Sequence, residues 1–462
     1  MRTKNSLPLF LGMTMVMTLN TAAQHQTPPG GSRPKDLILP VKTTFVLDNG
    51  LRSTLVPYGT LPKVTIRVIL GAGNINEAAN EVWLSDLVGD YLEEGTTTRT
   101  SKQVAEDAAR MGGEVSVGVG DDQTTVSSSV LSEFGPDMIA LLADVIRNPK
   151  FPESELSRLK NDRSRDLNIQ KADPNALANE LFRSLMYPGH PYGKIFPTEE
   201  MLNGYTVEQV RDFYAEHFGA ARAHVYVAGN FDAPAVEKAI RDAFGTWTRG
   251  SERVPNIPMP RSKRAVYIID RPGAPQSTTY IGLPTINPSA PEYRKLLVMN
   301  ALLGGSFMSR ITSNIRENKG YTYSPGSFVS ARYRDAYWGQ FASITTDVTG
   351  PAVKEIFNEI DRLQTEPPTQ EELQGIQNYV AGIFVLQNSS PSGIINLLSF
   401  NNLHGLPDTY LTEYVKTIYA VTPEEIQQLA ARYLRDEEMQ IVIAGDRKRI
   451  EKQMMPFGNV IR

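Results

Sequence analysis

Two aspartates have the spacing that a metal site on a helix requires. Asp86 and Asp90 are four residues apart in a segment whose apolar residues follow helical spacing, so they project from one helix face. Carboxylate oxygens are ligands for hard cations. The five histidines are spread along the chain, and no two of them have ligand spacing on one helix. Solvated carboxylates are therefore the favoured interpretation of the aspartate pair, and a weak cation site is the alternative.

Other common catalytic groups are missing from the sequence. The 462 residues include no Cys, which excludes disulfide frameworks, thiolate zinc sites, iron–sulfur clusters and Cys nucleophiles. There is no G-x-S-x-G motif, and Gly304-Gly305 is not followed by the Lys and Ser or Thr of a phosphate-binding loop. The formal net charge of −4 gives the chain no electrostatic reason to bind nucleic acid or an anionic membrane.

The beginning of the chain differs from the rest. Arg2 and Lys4 precede an apolar stretch and a group of small residues, which predicts a secretory signal peptide at residues 1–23 and a secreted or periplasmic protein. An uncleaved anchor or a buried helix is the alternative. Residues 24–35 are polar and contain Pro28-Pro29-Gly30-Gly31, which predicts a flexible tether at residues 24–40. No later segment has the apolar length of a transmembrane helix.

An internal repeat organises the remaining sequence. The pattern that runs from Thr206 to Gly229 recurs from Thr422 to Gly445, so both of its ends are shifted by 216 residues. Each copy of the pattern begins with a Thr at a helix N-cap position and ends in a short apolar strand. A pattern that recurs at constant offset predicts two copies of one domain.

Each copy is predicted to be α+β. β-Branched residues in alternation predict strands at residues 64–70 and 277–283, and apolar residues at helical spacing predict helices at residues 136–147 and 351–363. The predicted parts of the mature chain are an N-terminal domain, a Pro-rich linker and a C-terminal domain, at residues 41–248, 249–264 and 265–462.

Residues 81–96 resemble the helix that carries the H-x-x-E-H motif in the pitrilysin-like inverzincin metallopeptidases, the family of the mitochondrial processing peptidase and insulin-degrading enzyme. The resemblance places the family's two zinc histidines at Asp86 and Asp90, its catalytic Glu at Gly89, and its third zinc ligand at Asp166. None of these positions keeps the family's residue. The resemblance therefore implies that this chain holds no zinc and is inactive as a peptidase on its own.

The C-terminal copy resembles the other half of the family's site. Residues 303–311 and 315–324 are similar to the family's C-terminal domain, in which an Arg and a Tyr seven residues later bind substrate carbonyls beside the scissile bond. The matching residues are Arg316 and Tyr323, and a guanidinium and a phenol both donate hydrogen bonds at neutral pH. The alternative is that Arg316 forms an ordinary salt bridge and that Tyr323 borders the core. Three charged neighbours are expected on a solvated surface, namely Lys319, Arg332 and Arg334.

The resemblance covers nearly the whole mature chain. It implies two tandem domains like those of the mitochondrial processing peptidase, each an antiparallel-rich sheet covered by helices. In bacterial members of the family, the zinc-carrying and Arg/Tyr-carrying chains can be separate polypeptides that form a heterodimer. The resemblance therefore implies a non-catalytic subunit that binds a peptide substrate and has no cofactor of its own, while a partner of the same family supplies zinc. The alternative is a structural or peptide-binding protein of this fold with no role in proteolysis, like the core subunits of the mitochondrial respiratory complex that resemble the family.

Overall fold

The structure, a computed structural model, describes residues 35–461. The predicted signal peptide at residues 1–23 and the first part of the predicted tether lie outside the described residues. The last part of that tether contacts the folded protein: Leu37 and Leu39 pack against apolar side chains, and the Asp36 carboxylate accepts a hydrogen bond from the Lys416 backbone N–H at 3.1 Å. No helix within residues 35–461 is long and apolar enough to cross a membrane.

The N-terminal half forms a six-stranded sheet in the order β1-β2-β6-β3-β5-β4. The bounds of these strands are β1 Thr43–Val46, β2 Arg52–Pro57, β3 Lys63–Leu70, β4 Ser116–Val119, β5 Thr124–Leu131 and β6 Ala223–Gly229. Neighbouring strands are antiparallel, except β2 and β6, which run parallel. On β3, Ile66 and Val68 are buried on one face, and Thr65 and Ile69 are buried on the other. Both faces of this sheet are therefore covered.

Helices of the same half cover one face of the first sheet. The helices of this half are α1 Leu84–Leu92, α2 Ser101–Arg110, α3 Gly135–Arg147, α4 Leu156–Ala172, α5 Pro174–Met186, α6 Glu199–Gly204, α7 Val207–His217 and α8 Ala233–Phe244. Leu87 of α1, Ile139 of α3 and Val210 of α7 belong to one apolar core with the inward-facing residues of the strands. All of these helices except α5 lie on the side of the sheet that this core occupies or at its edges. The Thr206 side chain accepts a hydrogen bond from the Gln209 backbone N–H, so α7 begins at the predicted N-cap.

The C-terminal half repeats this arrangement with a second six-stranded sheet in the order β12-β7-β11-β8-β10-β9. Its strands are β7 Ala265–Asp270, β8 Gln276–Thr285, β9 Gly326–Arg332, β10 Asp335–Thr345, β11 Gln440–Gly445 and β12 Val460–Ile461. The outer strand differs: β12 follows the other strands in sequence and runs parallel to β7, whereas β1 precedes β2 and runs antiparallel to it. The predicted fold of two tandem α+β domains is confirmed.

Helices of the C-terminal half cover one face of the second sheet. The helices of this half are α9 Tyr293–Asn300, α10 Arg310–Thr312, α11 Thr349–Thr365, α12 Gln370–Gln387, α13 Pro391–His404, α14 Thr409–Thr412, α15 Tyr414–Tyr419, α16 Pro423–Tyr433 and α17 Arg447–Met454. Leu296, Ile356 and Ile426 join the strands in a second core. The Thr422 side chain accepts a hydrogen bond from the Glu425 backbone N–H and begins α16, as Thr206 begins α7.

Each half contributes one helix that covers the second face of the other half's sheet. Helix α5 lies on strands β8 and β11, where the Phe182 ring contacts the rings of Tyr280 and Tyr337. Helix α13 lies on strands β3 and β6, where Ile394 and Leu398 are buried. Since these faces are largely apolar, separating the two halves would expose both of them to water.

Two hairpin turns meet at the boundary between the halves. Asp121, in the turn between β4 and β5, accepts a hydrogen bond from Arg183 at 2.8 Å and pairs with Arg332 of β9. Asp122 accepts a hydrogen bond from the Tyr333 backbone N–H at 3.0 Å. Burial alone would raise the pKa of Asp121, but the two guanidinium groups hold it below its usual value. The expectation that Arg332 lies on a solvated surface is wrong: the residue is 6% exposed, and its charge is compensated by the half-buried Asp121 carboxylate.

Because α5 packs against the sheet of the other half, we expect Phe182→Ala to destabilise the folded chain. The substitution should lower the free energy of unfolding by about 3–5 kcal/mol, because it leaves a cavity between α5 and the second sheet. The control is Ile169→Ala, which removes an exposed side chain of the preceding helix and should change that free energy by less than about 0.5 kcal/mol. Urea unfolding measures both, and a wild-type midpoint in Phe182→Ala would show that α5 does not hold the halves together.

Candidate functional site

Helix α1 carries Asp86 and Asp90 on its outer face. Leu87 and Tyr91, on the other side of the helix, are buried in the N-terminal core. The helix is shorter than the segment 81–96 that the sequence predicts. Trp83 has a left-handed backbone with φ of 68°, and a left-handed residue does not continue a right-handed helix, so α1 begins at Leu84.

A guanidinium group lies between the two aspartates. Arg163 of α4 donates two hydrogen bonds to the Asp90 carboxylate, from Nε at 2.7 Å and from Nη2 at 2.6 Å. It also contacts Asp86, with Nη1 3.5 Å from the carboxylate and Nη2 3.2 Å from the backbone carbonyl. Burial raises the pKa of both aspartates above the ordinary value, and the Arg163 charge opposes that shift. Arg163 thus supplies the positive charge that the family's zinc would supply here.

The donor set does not fit zinc. The Asp86 carboxylate is further engaged by the Asn74 side-chain amide at 2.8 Å, and the Asp90 carboxylate is occupied on both oxygens by Arg163. Asp166 lies on the same helix as Arg163, but its side chain is exposed. Within residues 35–461 no group of three or more His, Cys, Asp or Glu side chains has the geometry to hold a metal ion. A cation would have to displace a guanidinium from two carboxylates before it could bind.

The position of the family's catalytic Glu is also closed. Gly89 faces strand β4, and a Cβ at this residue would lie 2.6 Å from the Val119 Cγ2 atom. A Glu side chain would therefore require the Val119 side chain to move. Among the described residues, the former motif positions of the N-terminal half provide neither a zinc ligand set nor a proton-transfer group.

Arg316, whose side chain is 25% exposed, lies beside the exposed ring of Tyr323 at the surface of the C-terminal half. The Arg316 guanidinium is 5.1 Å from the centre of the Tyr323 ring and 4.4 Å from the centre of the Phe307 ring, so it lies near two aromatic rings. Its Nε atom is 3.2 Å from the Glu317 carboxylate. Tyr323 is 78% exposed, which makes a core-edge position for this ring wrong.

Backbone hydrogen bonds hold the segment that carries this pair. Arg316 lies in a π-helical turn, Ser313–Asn318, and its carbonyl accepts a hydrogen bond from the Gly320 N–H at 3.0 Å. The Thr322 hydroxyl donates to the Ser343 carbonyl of β10 at 2.7 Å. The two residues are therefore attached to a helix end and to the sheet, and π-helical turns of this kind are frequent at functional sites.

Sequence reasoning missed Arg163 and Phe307. Arg163 is three residues before Asp166 on one helix, so a search for positively charged side chains near the former ligand positions would have found it. Phe307 belongs to the segment that resembles the family, but its ring approaches Arg316 only in the folded chain. Of the other charged neighbours, Lys319 pairs with Glu355 at 3.2 Å, and Arg334 occupies the β9–β10 turn with φ of 54°.

The guanidinium between the aspartates predicts a specific stability defect. Arg163→Ala should lower the free energy of unfolding by about 2–3 kcal/mol at neutral pH, because two half-buried carboxylates lose their partner. The loss should shrink at acid pH, where protonated carboxyls no longer repel. Arg165→Ala, on the exposed side of the same helix, is the control, and Asp86→Asn with Asp90→Asn should rescue Arg163→Ala. Equal free energies of unfolding for Arg163→Ala and the wild type at both neutral and acid pH would rule out the compensating role.

Relatives and solved structures match most of the chain. It is 28% identical over 331 residues to an uncharacterized zinc protease of Rickettsia felis, covering 71% of this chain and 79% of the relative. It is 24% identical over 400 residues to the uncharacterized zinc protease YmxG of Bacillus subtilis, covering 85% and 96%. A peptidase M16 inactive domain from Pseudomonas fluorescens superposes with a TM-score of 0.81 at 23% identity, covering 87% of this chain and 98% of that one. A protease from Helicobacter pylori superposes with a TM-score of 0.82 at 17% identity, covering 88% and all of that chain.

Two family models divide the chain between them. The model of the insulinase family, peptidase family M16, matches residues 57–196, which include Asp86, Asp90 and Asp166. The model of the peptidase M16 inactive domain matches residues 204–380, which include Arg316 and Tyr323. Together the two matches cover more than two thirds of the sequence. The chain is a member of peptidase family M16.

Proposed function

We propose that this chain is the non-catalytic, substrate-binding subunit of a secreted or periplasmic zinc-dependent peptidase heterodimer. In this proposal Arg316 and Tyr323 hold backbone carbonyls of the substrate peptide, and a second chain of the same family supplies zinc. The observation that carries the proposal is a contrast between two arginines. Arg163 is paired with the carboxylates at the former zinc position, whereas the half-buried Arg316 has one carboxylate neighbour, at Nε, and lies beside an exposed phenol.

The surroundings of Arg316 suit it to bind a peptide. A guanidinium beside aromatic rings keeps its N–H groups available at the edge of its plane, and a carbonyl oxygen accepts hydrogen bonds in that plane. The Tyr323 hydroxyl adds a second donor. Two donors fixed before the substrate arrives would orient the peptide without having to be ordered themselves, which lowers the barrier to reaction.

The partner and the location are parts of the same proposal. The family model that matches the C-terminal half is that of an inactive domain, and relatives are named zinc proteases, which supports a subunit of a peptidase rather than a complete one. The sequence pattern of residues 1–23 supports export from the cytoplasm. In the alternative, a structural or peptide-binding protein of this fold, no hydrolysis would depend on Arg316 or Tyr323.

The test is reconstitution with a chain of the family that carries an intact H-x-x-E-H motif. Arg316→Ala should lower kcat/KM for peptide hydrolysis by about 100-fold, and Tyr323→Phe by about 10-fold, because each removes a donor to the bound peptide. Arg432→Ala, which removes an exposed arginine paired with Glu292, is the matched control and should leave the rate unchanged.

Two outcomes separate the proposal from its alternative. Loss of hydrolysis in the Arg316 and Tyr323 variants, with the heterodimer still formed by size-exclusion chromatography, supports the substrate-binding role. Wild-type rates in both variants would contradict it and leave the structural alternative.

A further inference from the structure

A cavity of about 670 Å³ lies beside the surface formed by Arg316 and Tyr323. Its buried lining includes Leu302 and Ile376. At its opening, Phe307, Met308 and Tyr379 expose large apolar side chains to solvent. Single exposed apolar residues are common on proteins, but three of them around a cavity with an apolar interior are typical of a binding site.

Phe307 connects the cavity to the peptide-binding pair. Its ring lines the cavity and also lies 4.4 Å from the Arg316 guanidinium. An extended peptide advances about 3.3 Å per residue. A peptide whose carbonyl is bound by Arg316 therefore places a side chain of the same or the next residue within reach of the cavity.

Ser306 adds a polar group to the cavity. It is 7% exposed, lines the cavity, and its hydroxyl has no hydrogen-bond partner among the described residues. A buried hydroxyl without a partner carries a cost that a ligand with a polar atom can remove. The carboxylate of Glu372, also in the lining, is already held by Arg310 through two hydrogen bonds at 2.7 and 2.8 Å. The lining therefore needs no additional cation at Glu372.

We propose that this cavity is a specificity subsite for a large aromatic side chain of the peptide bound at Arg316 and Tyr323. The proposal rests on the proposed function. The lining of the cavity is largely apolar, although the exposed Glu371 belongs to it, and the rings of Phe307 and Tyr379 offer edges and faces against which an aromatic ring packs. The thioether of Met308 adapts to rings of different shape.

The subsite would give this chain a role in choosing the substrate as well as in holding it. Burial of an aromatic side chain away from the reacting bond contributes binding energy that orients the bond at the partner's zinc. The expected preference for an aromatic side chain over Ala at one peptide position is about 10- to 100-fold in kcat/KM.

Two glycines of α12 provide a matched pair of variants. A Cβ at Gly375 or at Gly382 would meet no atom within 4 Å, so a larger side chain is tolerated at both. Gly375 lines the cavity, whereas Gly382, two helical turns further along, is not part of its lining. Gly375→Phe therefore fills the subsite, and Gly382→Phe makes the same chemical change outside it.

The experiment uses the reconstituted heterodimer and a set of peptides that carry one Phe at successive positions of a constant Ala- and Ser-rich sequence. The wild type should prefer Phe at one position, Gly375→Phe should reduce that preference to within about threefold of unity, and Gly382→Phe should keep it. A wild-type preference that survives in Gly375→Phe, or the absence of any preference in the wild type, would overturn the subsite.

Binding to the full chain alone separates this proposal from the proposed function. Fluorescence anisotropy with the labelled Phe peptide and its Ala counterpart measures the same preference without hydrolysis. If Arg316→Ala leaves hydrolysis unchanged while Gly375→Phe abolishes preferential binding of the Phe peptide, the peptidase role fails and the aromatic cavity stands. If Arg316→Ala abolishes hydrolysis while Gly375→Phe changes neither measurement, the peptidase role stands and the subsite fails.

Discussion

Both sheets of this protein are covered on two faces, and each half depends on the other for the second cover. Helix α5 of the N-terminal half buries Phe182 against the C-terminal sheet, and helix α13 of the C-terminal half buries Ile394 against the N-terminal sheet. The ion pair between Asp121 and Arg332 fixes the meeting point of the halves. This mutual covering holds the former metal position and the Arg316 surface on one folded body, so neither position is set by its own half alone.

Within this folded body, Arg163 and Arg316 have opposite environments. The N–H groups of Arg163 donate hydrogen bonds to two carboxylates, which neutralise its charge and occupy its donors. Arg316 is half-buried, with aromatic rings for neighbours and a single carboxylate at Nε, so its outer N–H groups are not paired with carboxylates. Arg163 therefore blocks the former metal position, whereas Arg316 keeps hydrogen-bond donors for a ligand. The proposed division of this chain into a half that holds no zinc and a half that binds substrate has its physical basis in this difference.

Helix-capping residues and the internal repeat predicted the starts of two helices and the two-domain organisation. Thr206 and Thr422 were identifiable as N-caps because capping depends on residues close in sequence, and the constant offset between the two patterns predicted two domains of one topology. Contacts between distant segments were beyond this reasoning. The pairing of Arg163 with Asp90 joins two residues that are 73 positions apart in the sequence, and Arg332 is buried by a turn of the other half. The start of α1 depends on Trp83, whose indole N–H donates to the Ile195 carbonyl at 2.8 Å in another part of the fold. The roles of Arg316 and Tyr323 and the exact domain limits stay predictions.

Contact between Tyr323 and the substrate beside the cleaved bond is the central claim, and a single cross-linking measurement tests it. The chain has no Cys, so Tyr323→Cys creates a unique thiol that a benzophenone maleimide labels at one position. In the zinc-loaded heterodimer, irradiation with a slowly cleaved peptide should cross-link position 323 to residues next to the scissile bond, as located by mass spectrometry. Cross-links confined to the partner chain, or to peptide residues far from that bond, would contradict the account.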